Sequence, residues 1–205
     1  MPAVPGRAAL PLVLLLAGCA LGGGPEPSAN PTARANDFRP AELRQAVVLV
    51  RVVIGSTSRL SERDRRELPA LYEGALLEAL DARAIVVRDL RSVEAGAAVP
   101  EPSLAAARAR EVGVDHAVVV SLRVEPQIVR VCEDTRRPLR GEATVWRQEA
   151  RIVRAADAGE RVRAQVTTPD VEAKCENSRP SVRPRGVQAT AAAAVEQLVG
   201  RMLAR

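Results

Sequence analysis

Ala46-Val47-Val48-Leu49-Val50-Arg51-Val52-Val53-Ile54 is a near-continuous β-branched run. A strand that is apolar at successive positions, rather than at alternate ones, is covered on both faces. That commits the chain to a sheet layered with helices. Gly55-Ser56-Thr57-Ser58 closes the run, and Ser61-Glu62-Arg63-Asp64 follows as a capping box, the serine accepting an early backbone N–H and the aspartate reaching back. Leu68, Leu71, Tyr72, Ala75, Leu76, Ala79 and Leu80 then recur at helical spacing to about Ala82. Pro69 bends this helix or marks its first turn.

Ala84–Arg88 reads as a second strand, and Leu104–Val112 as a second helix ended by Gly113. His116–Leu122 is a third strand extending towards Cys132, with Pro126 at a bulge or edge position. Thr144–Val153 and Glu160–Thr167 are strands joined by a turn at Asp157-Ala158-Gly159. A polar loop from Pro169 to Gly186 leads into a last helix, Val187–Leu203, with Val187, Ala191, Val195, Leu198, Val199 and Met202 on one stripe. The predicted class is α/β (α+β). It comprises one mixed β-sheet of about five strands with helices packed on it, in the order β-α-β-α-β-β-β-α. Right-handed crossovers place the first three strands in a shared sheet.

Phe38, Tyr72 and Trp146 are the only aromatic residues, so Ala, Val, Leu and Ile must build the core. Few platforms remain for stacking bases or sugars. Lys174 is the only lysine among 30 cations. Twenty-five acidic residues are interspersed with the arginines and there is no long basic run, so no nucleic-acid partner is expected.

A second constraint lies at the N-terminus. Arg7, an apolar run from Leu10 to Leu15, and a small-residue cleavage site describe a secretory signal rather than a membrane span. Leu16-Ala17-Gly18-Cys19 resembles the lipobox of bacterial lipoproteins. The resemblance implies cleavage between Gly18 and Cys19, with diacylglycerol and an N-acyl chain on Cys19. Removing residues 1–18 takes away Arg7 and lowers the formal charge from +5 to +4. Three acyl chains make such an anchor effectively permanent. Ala20 stands where an aspartate would favour the inner membrane, which implies the outer membrane, facing the periplasm.

Residues 19–37 are rich in Gly, Pro, Ala, Ser and Asn and read as a flexible tether, with residues 38–205 as the α/β periplasmic domain. A coil of that length reaches on the order of 20–25 Å, which keeps the domain close to its membrane. Cys132 and Cys175 remain once Cys19 is lipidated. In an oxidising compartment an even pair reads as a structural disulfide. The strand order brings them together: strand four leaves from the edge where strand three ends near Cys132, and strand five returns there.

Three stretches carry a further resemblance. They are Leu76-Leu77-Glu78-Ala79-Leu80, Ile85-Val86-Val87-Arg88-Asp89-Leu90, and Ala107 to Val120 with its Glu111-Val112-Gly113-Val114-Asp115 core. Together with Ala150-Arg151-Ile152-Val153 and Gly159-Glu160, they resemble the small α/β domain shared by the N-terminal part of TolB, CsgG and LpoB-type lipoproteins. His116 replaces the usual aromatic of that pattern. The chain is too short for the β-barrel-forming insertions of CsgG, which argues against a secretion pore. Its tether is also shorter than that of an LpoB-like synthase activator.

No nucleophile elbow, phosphate-binding loop, dinucleotide fingerprint, His-Glu-x-x-His or Cys-x-x-Cys is present, so neither an enzyme nor a cofactor is expected. One histidine and two distant cysteines do not make a metal site. His116 reads as a structural core residue. Glu125, Glu133 and Asp134 sit beside Arg130, Arg136 and Arg137, as in a solvated, charge-balanced hairpin. The expected role is a non-enzymatic protein-interaction or assembly module of the cell envelope. Its partner would be an envelope protein, bound through Arg179, Arg183 and Arg185 or at an exposed sheet edge; Trp146 reads as core or sheet-face packing, with partner contact as its second reading. The alternative is an auxiliary lipoprotein of an envelope transport system that binds lipid or another apolar ligand in a pocket between helices and sheet.

Overall fold

A computed structural model of the chain describes residues 32–204, apart from 134, 135, 137 and 177–180. The elements run β1 (Thr32–Arg34), β2 (Gln45–Ile54), α1 (Glu62–Asp81), β3 (Val86–Val93), α2 (Pro102–Val112) and β4 (His116–Val131). They continue with β5 (Leu139–Arg154), β6 (Glu160–Pro169), β7 (Val171–Lys174), β8 (Ser181–Pro184) and α3 (Val187–Leu203). A six-stranded sheet has the order β1-β6-β5-β4-β2-β3, and β7-β8 form a separate ribbon. β2 pairs in parallel with both β3 and β4, while β4, β5, β6 and β1 are antiparallel. The α/β class is as the sequence predicts, but the strand count of about five and the element order are corrected by β1, β7 and β8. All three are too short or too polar to show a strand pattern.

β1 also changes where the domain begins. Thr32–Arg34 falls within the stretch read as tether, yet it pairs with Val162–Ala164 of β6. Arg34 donates to the Met202 carbonyl at 3.0 Å, and Phe38 is buried.

Residues pointing to one face of the sheet meet α1 and α3. Val48, Val50, Val118, Val120, Leu122 and Ile152 pack there against Leu68, Leu76, Leu80, Val195 and Leu198. On the other face α2 presents Ala105, Ala106 and Ala109 to Val47, Leu49, Ala117, Val119 and Val153. Small alanines let the helix backbone lie close to the strands. α2 ends at Gly113 with φ +76°, a left-handed C-cap that a side chain would strain. Ser61 caps α1 by accepting the Asp64 N–H at 3.1 Å. Asp64 takes up the Ser61 hydroxyl at 2.6 Å rather than a backbone N–H. Pro69 lies inside α1, not in its first turn.

Candidate functional site

α2 covers only one end of its face. Beyond it, β4, β5 and β6 present two rows of side chains with no helix over them among the described residues, Ser121-Glu149-Gln165 and Arg123-Arg147-Thr167, and Arg151 and Arg163 continue the face beside the covered Val119. Antiparallel sheets tolerate one solvated face. Glu149 holds the centre, receiving Arg151 at 3.0 Å and the Gln165 amide at 3.0 Å. Arg163 is paired with Glu160 at 2.9 Å. Arg147 leans along the strand to Glu125 at 3.2 Å and Gln127 at 3.0 Å. Arg123, directly opposite Arg147, is exposed and has neither ion pair nor hydrogen bond among the described residues. Like charges facing each other across a ladder destabilise it, so Arg123 is a cation in want of an anion.

The second feature is an arm. β2 leaves β4 at Ile54, opposite Val124, but β4 and β5 stay paired out to Val131 and Leu139. Pro126 sits in this ladder without a bulge, on the edge that β2 has vacated. The β7–β8 ribbon is tied to the arm at two points. Asp170 exchanges hydrogen bonds with Thr144, its carboxylate accepting the Thr144 N–H and its own N–H donating to the Thr144 carbonyl, both at 2.9 Å. Cys132 and Cys175 are joined by a disulfide, Cα to Cα 5.1 Å. On the arm Arg130 faces Arg140, and Ile128 is 67% exposed. Glu142, opposite Ile128, is ion-paired with Arg59.

The disulfide is as the sequence predicts. The proposed partner residues are not brought together. Trp146 is 1% exposed and stacked at a tilt, 6.4 Å from Tyr72, so it is core and cannot touch a partner. Arg185 is clamped to Glu172 at 3.3 Å, and its N–H bonds the Asp170 carbonyl, which makes it a buttress of the ribbon. Only Arg183 is presented outward. Gly18, Cys19 and Arg179 lie outside the described residues. His116 is 5% exposed and meets the Phe38 ring edge-on at 5.9 Å. Burial pushes its pKa below the usual value, against a smaller upward pull from Asp115 and Glu42.

Arg123 and Arg147 were within reach of a sequence reading. β4 is apolar at every position from Ala117 to Val120 and then alternates as Ser121-Leu122-Arg123-Val124-Glu125. That change of period marks where the second face becomes wet.

Among the described residues no group of three or more His, Cys, Asp or Glu is placed to hold a metal ion, and no helix is long and apolar enough to cross a membrane. A hollow of about 350 Å³ is lined by Val166, Gln197, Gly200, Arg201 and Ala204. It lies where the end of α3 meets β6 and is open to the surface, while deeper in the same layer Leu76, Val118, Leu122 and Leu198 are fully buried.

No family model matches the sequence, and no curated protein does. Among solved structures, the PelC dodecamer from Paraburkholderia phytofirmans is similar at 13% identity and a TM-score of 0.45, over 85% of this chain and 96% of that one. A homolog of neuraminyllactose-binding hemagglutinin from Helicobacter pylori is similar at 10% identity and a TM-score of 0.33, over 74% and 81%. A DUF330 protein from Xanthomonas campestris is similar at 11% identity and a TM-score of 0.32, over 83% and 87%. All three likenesses are loose, and none of these proteins is of the TolB, CsgG or LpoB type.

Proposed function

We propose that the chain is a lipid-anchored protein of the periplasmic side of the outer membrane. It acts without catalysis, binding another envelope protein through the open face of its sheet. The observation that carries this reading is Arg123 facing Arg147 on a part of the sheet that no helix covers among the described residues. A partner with an acidic surface relieves that opposition. The lipobox at Leu16–Cys19 and the stapled cysteines support an oxidising, membrane-bound setting.

Photo-cross-linking in native envelopes tests it, with a photo-reactive residue at Arg123 and a control at Ala156, in the β5–β6 turn. The expected result is one dominant protein adduct from position 123, reduced about tenfold by Arg147→Glu. Equal, scattered adducts from both positions would remove the open face as a docking site.

A further inference from the structure

We propose that the outer part of the β4–β5 arm, at Ile128, Arg130 and Arg140, rests in the headgroup layer of the same bilayer that anchors Cys19. The inference rests on the lipid-anchor reading given above. Thr32 of β1 lies in one cross-sheet row with Ala164, Ala150 and Val120. β1 is antiparallel to β6, so the chain before Thr32 comes from the end of the sheet where the arm projects. Anchor and arm therefore share one end of the molecule.

Lengths decide how they relate. From Val120 to Val131, at ~3.2–3.4 Å per residue, the last pair of the arm stands about 35–37 Å beyond the row of Thr32. The chain from Cys19 to Thr32 spans at most about 43–47 Å when fully drawn out. As the coil its Gly/Pro/Ala composition predicts, it spans about 18–22 Å. The tether's ordinary reach is thus little more than half the arm's. With its strands directed at the bilayer, the domain meets the surface arm first.

The arm carries matching chemistry. Ile128 is 67% exposed beside the facing pair Arg130 and Arg140, and the acid on that side, Glu142, is already neutralised by Arg59. Val182 on the neighbouring ribbon is 41% exposed. Apolar side chains among arginines suit an interface of acyl chains and anionic headgroups. Glu133 and Glu176, exposed next to the disulfide cysteines in the chain, oppose this pull.

The test places a photo-reactive residue at Ile128, Val182 or Ala156 of the full acylated chain, in vesicles of phosphatidylethanolamine and phosphatidylglycerol. Mass spectrometry of the same samples reads the acyl chains on Cys19. The expected result is at least tenfold more lipid adduct from positions 128 and 182 than from 156. Ile128→Glu should reduce the adduct at 182 several-fold while the disulfide and circular dichroism stay unchanged. Equal yields at 128 and 156 on a protein shown to be acylated would overturn the arm contact alone. An unacylated Cys19 would overturn the anchor and the arm contact with it. A dominant protein adduct at 128 in native envelopes would replace the bilayer with a protein dock.

Discussion

Tyr72 on α1 donates its hydroxyl hydrogen to Oε1 of Gln148 on β5 at 2.6 Å, beneath a sheet that shields both from water. Gln148 passes the contact on, its amide donating to the Ala194 carbonyl of α3 at 2.9 Å. One polar chain thus crosses a largely aliphatic core and joins both helices to the sheet. Burial holds the phenol fully protonated, far above its usual range, so it is a fixed donor. Tyr72→Phe should lower stability by about 1–3 kcal/mol, because Gln148 Oε1 is left buried without a donor. Urea unfolding measures this. The Tyr72→Phe/Gln148→Leu pair should lose less than the sum of the two single changes.

Replacing Cys132 and Cys175 together by serine should reduce stability by roughly 2–4 kcal/mol. The sheet and helices should persist, since they are packed independently of the ribbon. Hydrogen exchange should accelerate at Val171–Lys174 and Ser181–Pro184 well before it does at Val118 or Val120. Uniform acceleration would show that the staple supports the whole sheet.

His116 gives a pH dependence with a fixed sign. Its folded pKa lies below 6.5 because burial disfavours the cation. Between that value and 6.5 the unfolded chain binds a proton that the folded chain refuses, so stability falls as pH drops through 6.5. It levels off below the folded pKa. Asp89, Asp157 and Glu196, whose arginine partners lower their pKa values, act only at more acidic pH. Urea midpoints at pH 7.5 and pH 5.5 should differ in the native chain and differ less in His116→Leu.

Trp146→Ala should cost about 3–5 kcal/mol, the penalty of emptying a large buried site. Arg123→Glu should leave stability within about 0.5 kcal/mol, as surface changes usually do. Thermal melts of the two variants separate a core role from a docking role.

The layered part of this fold was legible because its signals are local. The run Ala46–Ile54, the stripe of Val187–Leu203 and Gly113 each encode an element through a few neighbouring residues. The pairing of Cys132 with Cys175 was legible from an even pair of cysteines after a secretory signal and from the strand order that brings them together. β1 was not legible, since Thr32–Arg34 gains its partners only from β6. Trp146 reads first as core and second as a partner contact, and its burial bears out the first reading. Arg185 was read as a free cation because its partner Glu172 lies across a hairpin that the polar sequence did not announce.

The attachment of β1 to β6 also sets an order of events. The first strand of the domain has no neighbour to join until nearly the last strand has been made. Closing so long a loop is entropically slow. The parallel trio β3-β2-β4 has a shorter wait, since β3 joins β2 after one crossover and β4 joins the other edge of β2 after the next. The N-terminal end of the domain therefore stays uncoupled from the sheet through most of folding and is drawn in only once β6 is in place.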